Sequence, residues 1–263
     1  MSLRFGANLN FLFRESGANV LEQFRLARAS GFRGIEMVCP EQISKEDVVS
    51  AQKENEIEVV LLNVSLGTKP EAAFGCAALP NMENEFRANF QRTLEYAKAL
   101  NCKKIHIMAG KPADFDAADE TYLRNLQFAA EQLESTGIIG VIEPINNYSI
   151  PGYYLNCYDK ALNILKKLNN TNSIKLMIDL FHLQLIRGNI TNTLNELKSH
   201  IGHVQVAQAP QRNEPNAAGE VNFKYVFKVL ETVGYNGWVG CEYKPTNNSK
   251  DNLEWIKEYG YTF

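Results

Sequence analysis

The feature that most constrains this chain is a regular alternation of two kinds of segment along nearly its whole length. Short apolar segments rich in β-branched residues alternate with longer amphipathic segments, whose apolar residues recur every three to four positions. Strands are predicted at 3–9, 34–39, 58–65, 104–109, 138–146, 174–180, 201–208 and 237–243. Helices are predicted at 19–29, 45–55, 82–100, 119–135, 158–168, 192–199, 222–232 and 250–259. Because parallel strands need crossover connections, this alternation indicates a parallel sheet.

The length of the chain decides between an open and a closed sheet. Eight strand–helix units in 263 residues fit a closed (β/α)8 barrel, which commonly runs to about 250 residues. No GxGxxG motif follows the first strand and no GxxxxGK[ST] motif occurs, so the usual nucleotide-binding reasons for an open sheet are missing. No Pro/Gly/Ser-rich linker divides the chain. The predicted fold class is α/β, a single (β/α)8 TIM barrel spanning residues 1–263.

The composition excludes several classes of partner. The chain has 27 Lys and Arg against 30 Asp and Glu, a net charge of −3, and no basic run, so nucleic-acid binding is not expected. No apolar stretch approaches the roughly 18 residues of a membrane span, and no leader-like segment is found, so no membrane association is expected. The five Cys form no C-x-x-C pair, a pattern typical of reduced thiols. We expect a cytoplasmic protein, which could be a homo-oligomer.

Polar side chains occur at the carboxyl ends of four consecutive predicted strands that are otherwise apolar. They are Glu143, Asp179, Gln205 and Glu242, spaced by about one strand–helix unit each. A carboxylate in an apolar strand is unfavourable unless it is paired, protonated or bound to a cation. The oxygens of these side chains match the ligands preferred by hard divalent cations such as Mg²⁺ and Mn²⁺. The alternative is that each side chain is solvated at the rim or paired with a nearby Lys or Arg.

Two further residues lie on the same predicted face of the barrel. His182 follows Asp179 by three residues, a spacing that favours a contact to a substrate oxygen, with a hydrogen-bonded structural histidine as the alternative. Arg212 lies in the loop after the seventh strand, either as a solvated cation or as a fork for a carboxylate. The connections 66–81 and 209–221 are unusually long, which favours lids or substrate-contacting loops.

Several segments carry a resemblance to a known protein family. They read LRFGANLNFLF, GFRGIEMVCP, YAKALNCKKIHIMAG, IEPIN, MIDLFHLQ, GHVQVAQAPQRNEP, GEVNF and GYNGWVGCEYKP. In these segments the chain resembles the hydroxypyruvate isomerase family, part of the xylose-isomerase-like TIM-barrel superfamily, nearly from end to end. The run 201–223 and the IEPIN and GCEY segments are specific, whereas the GxxGIE-type second strand is common to the superfamily.

The resemblance implies which residues would carry the chemistry. The metal ligands of the family fall on Glu143, Asp179, Gln205 and Glu242. Its two proton-transfer carboxylates fall on Glu143 and Glu242, and its substrate contacts on His182 and Arg212. Many epimerase relatives have His where this chain has Gln205. The amide makes the site richer in oxygen, which favours Mg²⁺ or Mn²⁺ over Zn²⁺ as the single metal cofactor.

The resemblance also implies an activity on a small molecule. Hydroxypyruvate and 2-hydroxy-3-oxopropanoate (tartronate semialdehyde) would be interconverted through an enediolate by metal-assisted proton transfer. A 2-oxo-tetronate isomerase or a ketose 3-epimerase on the same site is the alternative. More distant alternatives are a metal phosphodiesterase like endonuclease IV, and a barrel without activity. The four His of the chain are few for the His-rich cluster of the endonuclease IV family.

Overall fold

The computed structural model describes residues 2–15, 17–66, 69–168 and 172–263. The strands in these ranges are β1 (Arg4–Asn8), β2 (Gly34–Val38), β3 (Glu58–Asn63), β4 (Lys104–His106), β5 (Ile139–Ile142), β6 (Ile174–Asp179), β7 (Ile201–Val206) and β8 (Trp238–Cys241). They follow one another in chain order around a closed barrel, in which β8 pairs in parallel with β1. The predicted (β/α)8 TIM barrel is therefore confirmed.

The α-helices number nine in the described ranges, one more than predicted. They are α1 (Val20–Ala29), α2 (Lys45–Glu54), α3 (Glu83–Ala99), α4 (Phe115–Leu133), α5 (Tyr158–Lys167), α6 (Leu180–Ile186), α7 (Ile190–Leu197), α8 (Phe223–Thr232) and α9 (Glu254–Glu258). A short 3₁₀ helix covers Pro70–Ala72. None of these helices is long and apolar enough to cross a membrane.

Two helix boundaries differ from the prediction for the same physical reason, a capping carboxylate. The prediction placed no helix at 180–186, but the Asp179 side chain accepts a hydrogen bond from the backbone N–H of Phe181 at 2.9 Å and starts α6 directly after β6. Similarly, Asp114 accepts from the backbone N–H groups of Asp116 and Ala117, so α4 starts at Phe115 instead of 119. Aspartate is a favoured N-cap because it satisfies N–H groups that the first turn leaves unpaired.

The fifth strand ends earlier than predicted, and this decides where one candidate site residue lies. β5 ends at Ile142, and Glu143 follows it directly. Pro144 has no N–H for the ladder, and the N–H of Ile145 donates to the carbonyl of Leu155 at 2.9 Å instead of to a strand. Glu143 is thus the first residue past the strand end, and its side chain is 4% exposed.

The chain groups into two compact units. The first comprises Met1–Met37, Ser44–Val60 and Ile178–Phe263, and its core includes Phe5 packed edge-to-face on Trp255 at a centroid distance of 5.0 Å. The second comprises Val38–Ile43 and Leu61–Met177, and its core includes a cluster of Leu61, Val141 and Met177. The single-domain span 1–263 stays a prediction.

In the first unit, the strand register fixes which residues lie at one level. β1 pairs with β2 at Asn8↔Glu36 and with β8 at Gly6↔Gly240. β7 pairs with β8 at Gln205↔Gly240. The register therefore places Asn8 beside Glu36, and Gln205 at the level of two glycines.

The two long connections are anchored by hydrogen bonds. In 66–81, residues 67 and 68 lie outside the described ranges, while Ala78 is fully buried and its N–H donates to the carbonyl of Ala109 at 2.7 Å. The connection 209–221 is held at both ends by the amide of Gln208, whose oxygen accepts from the N–H groups of Ala209 and Val221. The role of the two connections, as lids or as substrate-contacting loops, stays a prediction.

Candidate active site

Asp179 is the last residue of β6 and is fully buried. Its Oδ1 accepts from the N–H of Phe181 as the cap of α6, which fixes the carboxylate at the strand end. Its Oδ2 accepts from Nη2 of Arg212 at 3.2 Å, and Nε2 of His182 lies 3.6 Å from the same oxygen. The capping role therefore leaves one oxygen, Oδ2, aimed at the polar groups of the site.

Glu242 follows β8 directly and is buried as well. Its Oε1 accepts from the side-chain amide of Asn8 at 3.1 Å, and its Oε2 accepts from Nη2 of Arg212 at 2.5 Å. Both oxygens are thus held by donors from other parts of the first unit.

Arg212 lies in the loop after β7 and reaches two buried carboxylates. It adopts a left-handed backbone conformation with φ of 61°, stabilised because its N–H donates to the carbonyl of Gln208 and its own carbonyl accepts from the N–H of Lys244, each at 2.7 Å. Its guanidinium lies over the ring of Phe181 at 4.9 Å from the centroid. A fixed guanidinium of this kind can bind carboxylates in a defined geometry.

The pKa values of Asp179 and Glu242 are both raised above the ordinary carboxyl range. Burial is the main cause, because it disfavours the charged form. The carboxylate of Glu36 raises both pKa values further, and Asp179 also raises the pKa of Glu242, whereas a hydrogen bond with Glu242 lowers the pKa of Asp179. The Arg212 guanidinium acts in the opposite direction on both pKa values. A carboxyl with a raised pKa can exchange a proton near neutral pH, as a general acid or base must.

Glu36, in the middle of β2, is a site residue that the sequence prediction missed. It is fully buried and accepts hydrogen bonds from Nε2 of Gln205 at 2.7 Å and from Nδ2 of Asn8 at 3.2 Å, and it also pairs with His203. The available signal was a glutamate inside the apolar GIEMV strand, the same kind of signal that identified Glu143.

The amide of Gln205 has a single orientation that suits this surrounding. Its nitrogen donates to the Glu36 carboxylate, which can only accept, so its oxygen faces the other way. That oxygen is buried and has no hydrogen-bond partner within the described ranges. A buried amide oxygen left without a donor is a group that a cation would satisfy, so Gln205 fits the predicted ligand role.

In the second unit, Glu143 has a different neighbourhood. Its Oε2 lies 3.6 Å from Nε2 of His106, and both side chains are buried. The register β4–β5 pairs His106 with Val141, two residues before Glu143. Tyr153, whose pKa is raised mainly by burial and further by Glu143, accepts from the N–H of Ala109 at 2.8 Å.

Two of the four predicted ligands and one predicted substrate contact are buried and carry atoms of the kind that bind a metal ion. They are Glu143 in the second unit, and Asp179 and His182 in the first. The assignment of the other two predicted ligands, Gln205 and Glu242, and the division of roles between ligands and substrate contacts stay predictions.

Comparison with known proteins identifies the class. Residues 24–259 match the family model described as xylose isomerase-like TIM barrel. A Drosophila melanogaster relative is 44% identical over 265 residues and covers 100% of both chains. The hydroxypyruvate isomerase of Escherichia coli (strain K12) is 39% identical, covering 98% of this chain and 99% of its own.

Two other relatives have different descriptions. The 2-oxo-tetronate isomerase of Cupriavidus necator is 39% identical, with 97% of this chain and 98% of its own covered. A crystal structure from Brucella melitensis, described as an AP endonuclease of family 2, has a TM-score of 0.91 at 37% identity and covers 98% of this chain and 99% of its own. The chain belongs to the hydroxypyruvate isomerase family within the xylose isomerase-like TIM barrels, and it is an enzyme of the isomerase class.

Proposed function

We propose that the chain interconverts hydroxypyruvate and 2-hydroxy-3-oxopropanoate. The observation that carries this proposal is the position of Arg212, whose guanidinium lies against the buried carboxylates of Asp179 and Glu242. Hydroxypyruvate differs from a simple ketose by its carboxylate, and an isomerase that prefers it needs a fixed cation at the site. Arg212 supplies a planar fork with a fixed charge where the reaction would take place.

The residues that would hold the divalent cation are Glu143, Asp179, Gln205 and Glu242. Their three carboxylates and one amide oxygen suit Mg²⁺ or Mn²⁺ better than Zn²⁺. When bound, the cation supplies a Lewis acid that stabilises negative charge developing on two adjacent substrate oxygens. With Asp179 and Glu242 holding the cation, Arg212 would be available to bind the substrate carboxylate.

The proton transfers are assigned to the two glutamates. One takes a proton from the hydroxyl-bearing carbon, which leaves an enediolate, and the other gives a proton to the neighbouring carbon. The hydroxyl proton passes to the former carbonyl oxygen, which completes the exchange of the two groups. Burial raises the pKa of Glu242 in the metal-free protein, and a bound cation would lower it, so Glu242 would act on the substrate from its deprotonated form. His182 would donate to a substrate oxygen beside Asp179, from which its ring lies 3.6 Å away.

A direct assay tests the proposal. Purified protein, freed of metal and reloaded with Mg²⁺ or Mn²⁺, is given hydroxypyruvate, 2-oxo-tetronates and neutral ketoses, and the products are followed by NMR in D₂O. We expect metal-dependent conversion of hydroxypyruvate with the highest kcat/KM and deuterium incorporation at carbon. Activity on a 2-oxo-tetronate above that on hydroxypyruvate would instead favour the second candidate, which the 39% identity to the Cupriavidus necator enzyme supports.

The ketose epimerase, phosphodiesterase and inactive alternatives are tested with the same purified preparation. Cleavage of an abasic-site DNA substrate would support the phosphodiesterase, and epimerisation of a ketose without isomerisation would support the epimerase. Four His in the whole chain and a carboxylate-rich site favour neither a His-rich metal cluster nor DNA cleavage. Fractionation of the native source would test the cytoplasmic location.

A further inference from the structure

Glu36 has no role in the proton transfers or in the predicted ligand set, yet its carboxylate is fully buried and accepts several hydrogen bonds. Three donors converge on it: Nε2 of Gln205, Nδ2 of Asn8 and the ring of His203. A fully buried carboxylate is retained at a large desolvation penalty, which these donors offset. Replacement by an apolar residue of similar size would avoid that penalty, so the charge needs a functional explanation.

β8, which pairs with β1 on the side away from β2, leaves room for the Glu36 carboxylate. Gly240 in β8 has no left-handed φ that would demand glycine, but a Cβ at this position would lie 2.2 Å from Oε1 and 2.4 Å from Oε2 of Glu36. Glycine in the middle of a strand weakens the strand, because it has no side chain to pack and loses more conformational entropy on folding. Glycine at 240 is therefore explained by the space that the Glu36 carboxylate occupies.

The contacts of Glu36 lead directly to two predicted metal ligands. The Glu36 carboxylate accepts a hydrogen bond from the amide nitrogen of Gln205, so the amide oxygen points away from Glu36. That oxygen has no hydrogen-bond partner in the described ranges. Glu36 also holds Asn8, whose Nδ2 donates to Oε1 of Glu242 at 3.1 Å while its Oδ1 accepts from the N–H of Asn10. One carboxylate thus orients Gln205 directly and Glu242 through Asn8.

We propose that Glu36 is a positioning residue that sets the orientation of the Gln205 amide for the divalent cation. Gly240 makes this possible because it has no side chain in the space that the Glu36 carboxylate occupies. The inference rests on the metal site of the proposed function. Outer groups that hold metal ligands in place typically change metal affinity by about 10–100-fold when they are replaced. Glu36→Gln removes the charge and replaces one acceptor with a donor, so the side chain at 36 no longer enforces a single orientation of the Gln205 amide.

The test measures binding of Mn²⁺ alone to the metal-free protein, by calorimetry and by the electron paramagnetic resonance signal of unbound Mn²⁺. We expect Glu36→Gln to raise the Kd for Mn²⁺ by about 10–100-fold. Gly240→Ala pushes a methyl group into the Glu36 carboxylate and should raise the Kd in the same direction. Gly6→Ala is the matched control, because Gly6 pairs with Gly240 in the register but a Cβ there would meet ordinary contacts at 3.4–3.5 Å, and its Kd should stay unchanged.

A double-mutant cycle separates positioning from general stability. If Glu36 acts through Gln205, then Glu36→Gln should change the Kd far less in a Gln205→Ala background than in the wild type. A purely structural role would lower the melting temperature of the metal-free protein and leave the Kd of the folded protein at the wild-type value. If Glu36→Gln does not fold, Glu36→Asp keeps the charge but withdraws it from Gln205, and the same cycle applies.

The outcomes distinguish this inference from the proposed function. A wild-type protein that binds no Mn²⁺ contradicts the metal site and this inference together. Mn²⁺ binding without hydroxypyruvate isomerisation contradicts the substrate assignment and leaves the role of Glu36 standing. Equal Kd values for the wild type, Glu36→Gln and Gly240→Ala, or equal losses from Glu36→Gln with and without Gln205, overturn the positioning role alone.

Discussion

Glu242 in the first unit and Glu143 in the second are proposed to share one task, but their surroundings differ. Glu242 accepts from the amide of Asn8 and from Arg212, the latter at 2.5 Å. Glu143 has the ring of His106 at 3.6 Å, a group that carries charge only when protonated. One glutamate is thus oriented by a permanent cation, while the other lies beside a titratable group.

This difference shows that two carboxylates with one proposed reaction need not be interchangeable. Replacing Glu242 changes the surroundings of Arg212, the proposed partner of the substrate carboxylate, since Arg212 would keep Asp179 at 3.2 Å and lose its shorter contact. Replacing Glu143 leaves Arg212 with both of its carboxylate contacts. The two substitutions should therefore separate in their effects on KM.

The largest expected effect is the loss of turnover in Glu143→Gln and Glu242→Gln. Each should lower kcat by at least about 10²-fold, because each removes a group proposed to transfer a proton. Glu242→Gln should also raise KM for hydroxypyruvate, and Glu143→Gln should leave KM closer to the wild-type value. Steady-state kinetics on metal-loaded protein measure both constants.

The metal content of each variant must be measured alongside, since both glutamates are proposed ligands. A fully active, metal-loaded Glu143→Gln or Glu242→Gln enzyme would contradict the proton-transfer role of that residue. Equal changes of KM in the two variants would contradict the expectation that the contact with Arg212 makes Glu242 differ from Glu143.

The next effect concerns Arg212 itself. Arg212→Ala should raise KM for hydroxypyruvate by about 10–100-fold, because a charged hydrogen-bonding partner contributes roughly 1.5–3 kcal/mol. The effect should be much smaller on dihydroxyacetone, which has a hydroxymethyl group in place of the carboxylate. Arg212→Lys should fall between, since it keeps the charge and loses the planar fork.

The matched control for Arg212 is Lys244, an exposed cation just past Glu242. Lys244→Ala should leave the kinetics on hydroxypyruvate unchanged. The opposite pattern, an unaffected Arg212→Ala and an impaired Lys244→Ala, would show that the wrong cation was assigned to the carboxylate.

Much of the fold and part of the site could be predicted from the sequence, because both rest on local patterns. The alternation of strand and helix periodicity predicts a barrel without any knowledge of loop conformation. A carboxylate in an apolar strand, such as Asp179, can be recognised from the sequence alone. Helix α6 was missed because Asp179 was interpreted as a ligand and its capping of the next turn was not considered.

Glu36 shows where sequence reasoning stops. Its hydrogen-bonding role depends on Asn8 and His203, which are 28 and 167 positions away in the chain. The fold of the barrel brings both side chains to Glu36. Arg212 was identified as a candidate, but its contact with two carboxylates depends on a loop whose left-handed backbone no periodicity predicts. Contacts of this kind depend on strand pairing and loop geometry, and neither can be predicted from the spacing of residues in a single sequence.

The smallest expected effect is a pH dependence of stability that sharpens the comparison between the glutamates. Burial raises the pKa of Glu242 and Asp179 in the folded protein, so the folded chain binds more protons than the unfolded chain, whose carboxyls titrate near about pH 4. The stability contributed by these protons is complete below the unfolded pKa and is lost as the pH rises through the folded pKa values.

In metal-free protein with a chelator present, we therefore expect the melting temperature to fall as the pH rises from about 5 to 8. A loss of about 1 kcal/mol corresponds to roughly 2–4 °C for a chain of this size. Glu242→Gln, which cannot titrate, should show a flatter dependence, measured by calorimetry across the same pH range. Saturating Mn²⁺ should reverse the slope, because a cation binds the deprotonated carboxylates and gains affinity as they lose protons. A metal-free melting temperature that rises with pH, or a Glu242→Gln slope equal to that of the wild type, would show that Glu242 is already ionised throughout this range and that Arg212 outweighs burial at that carboxyl.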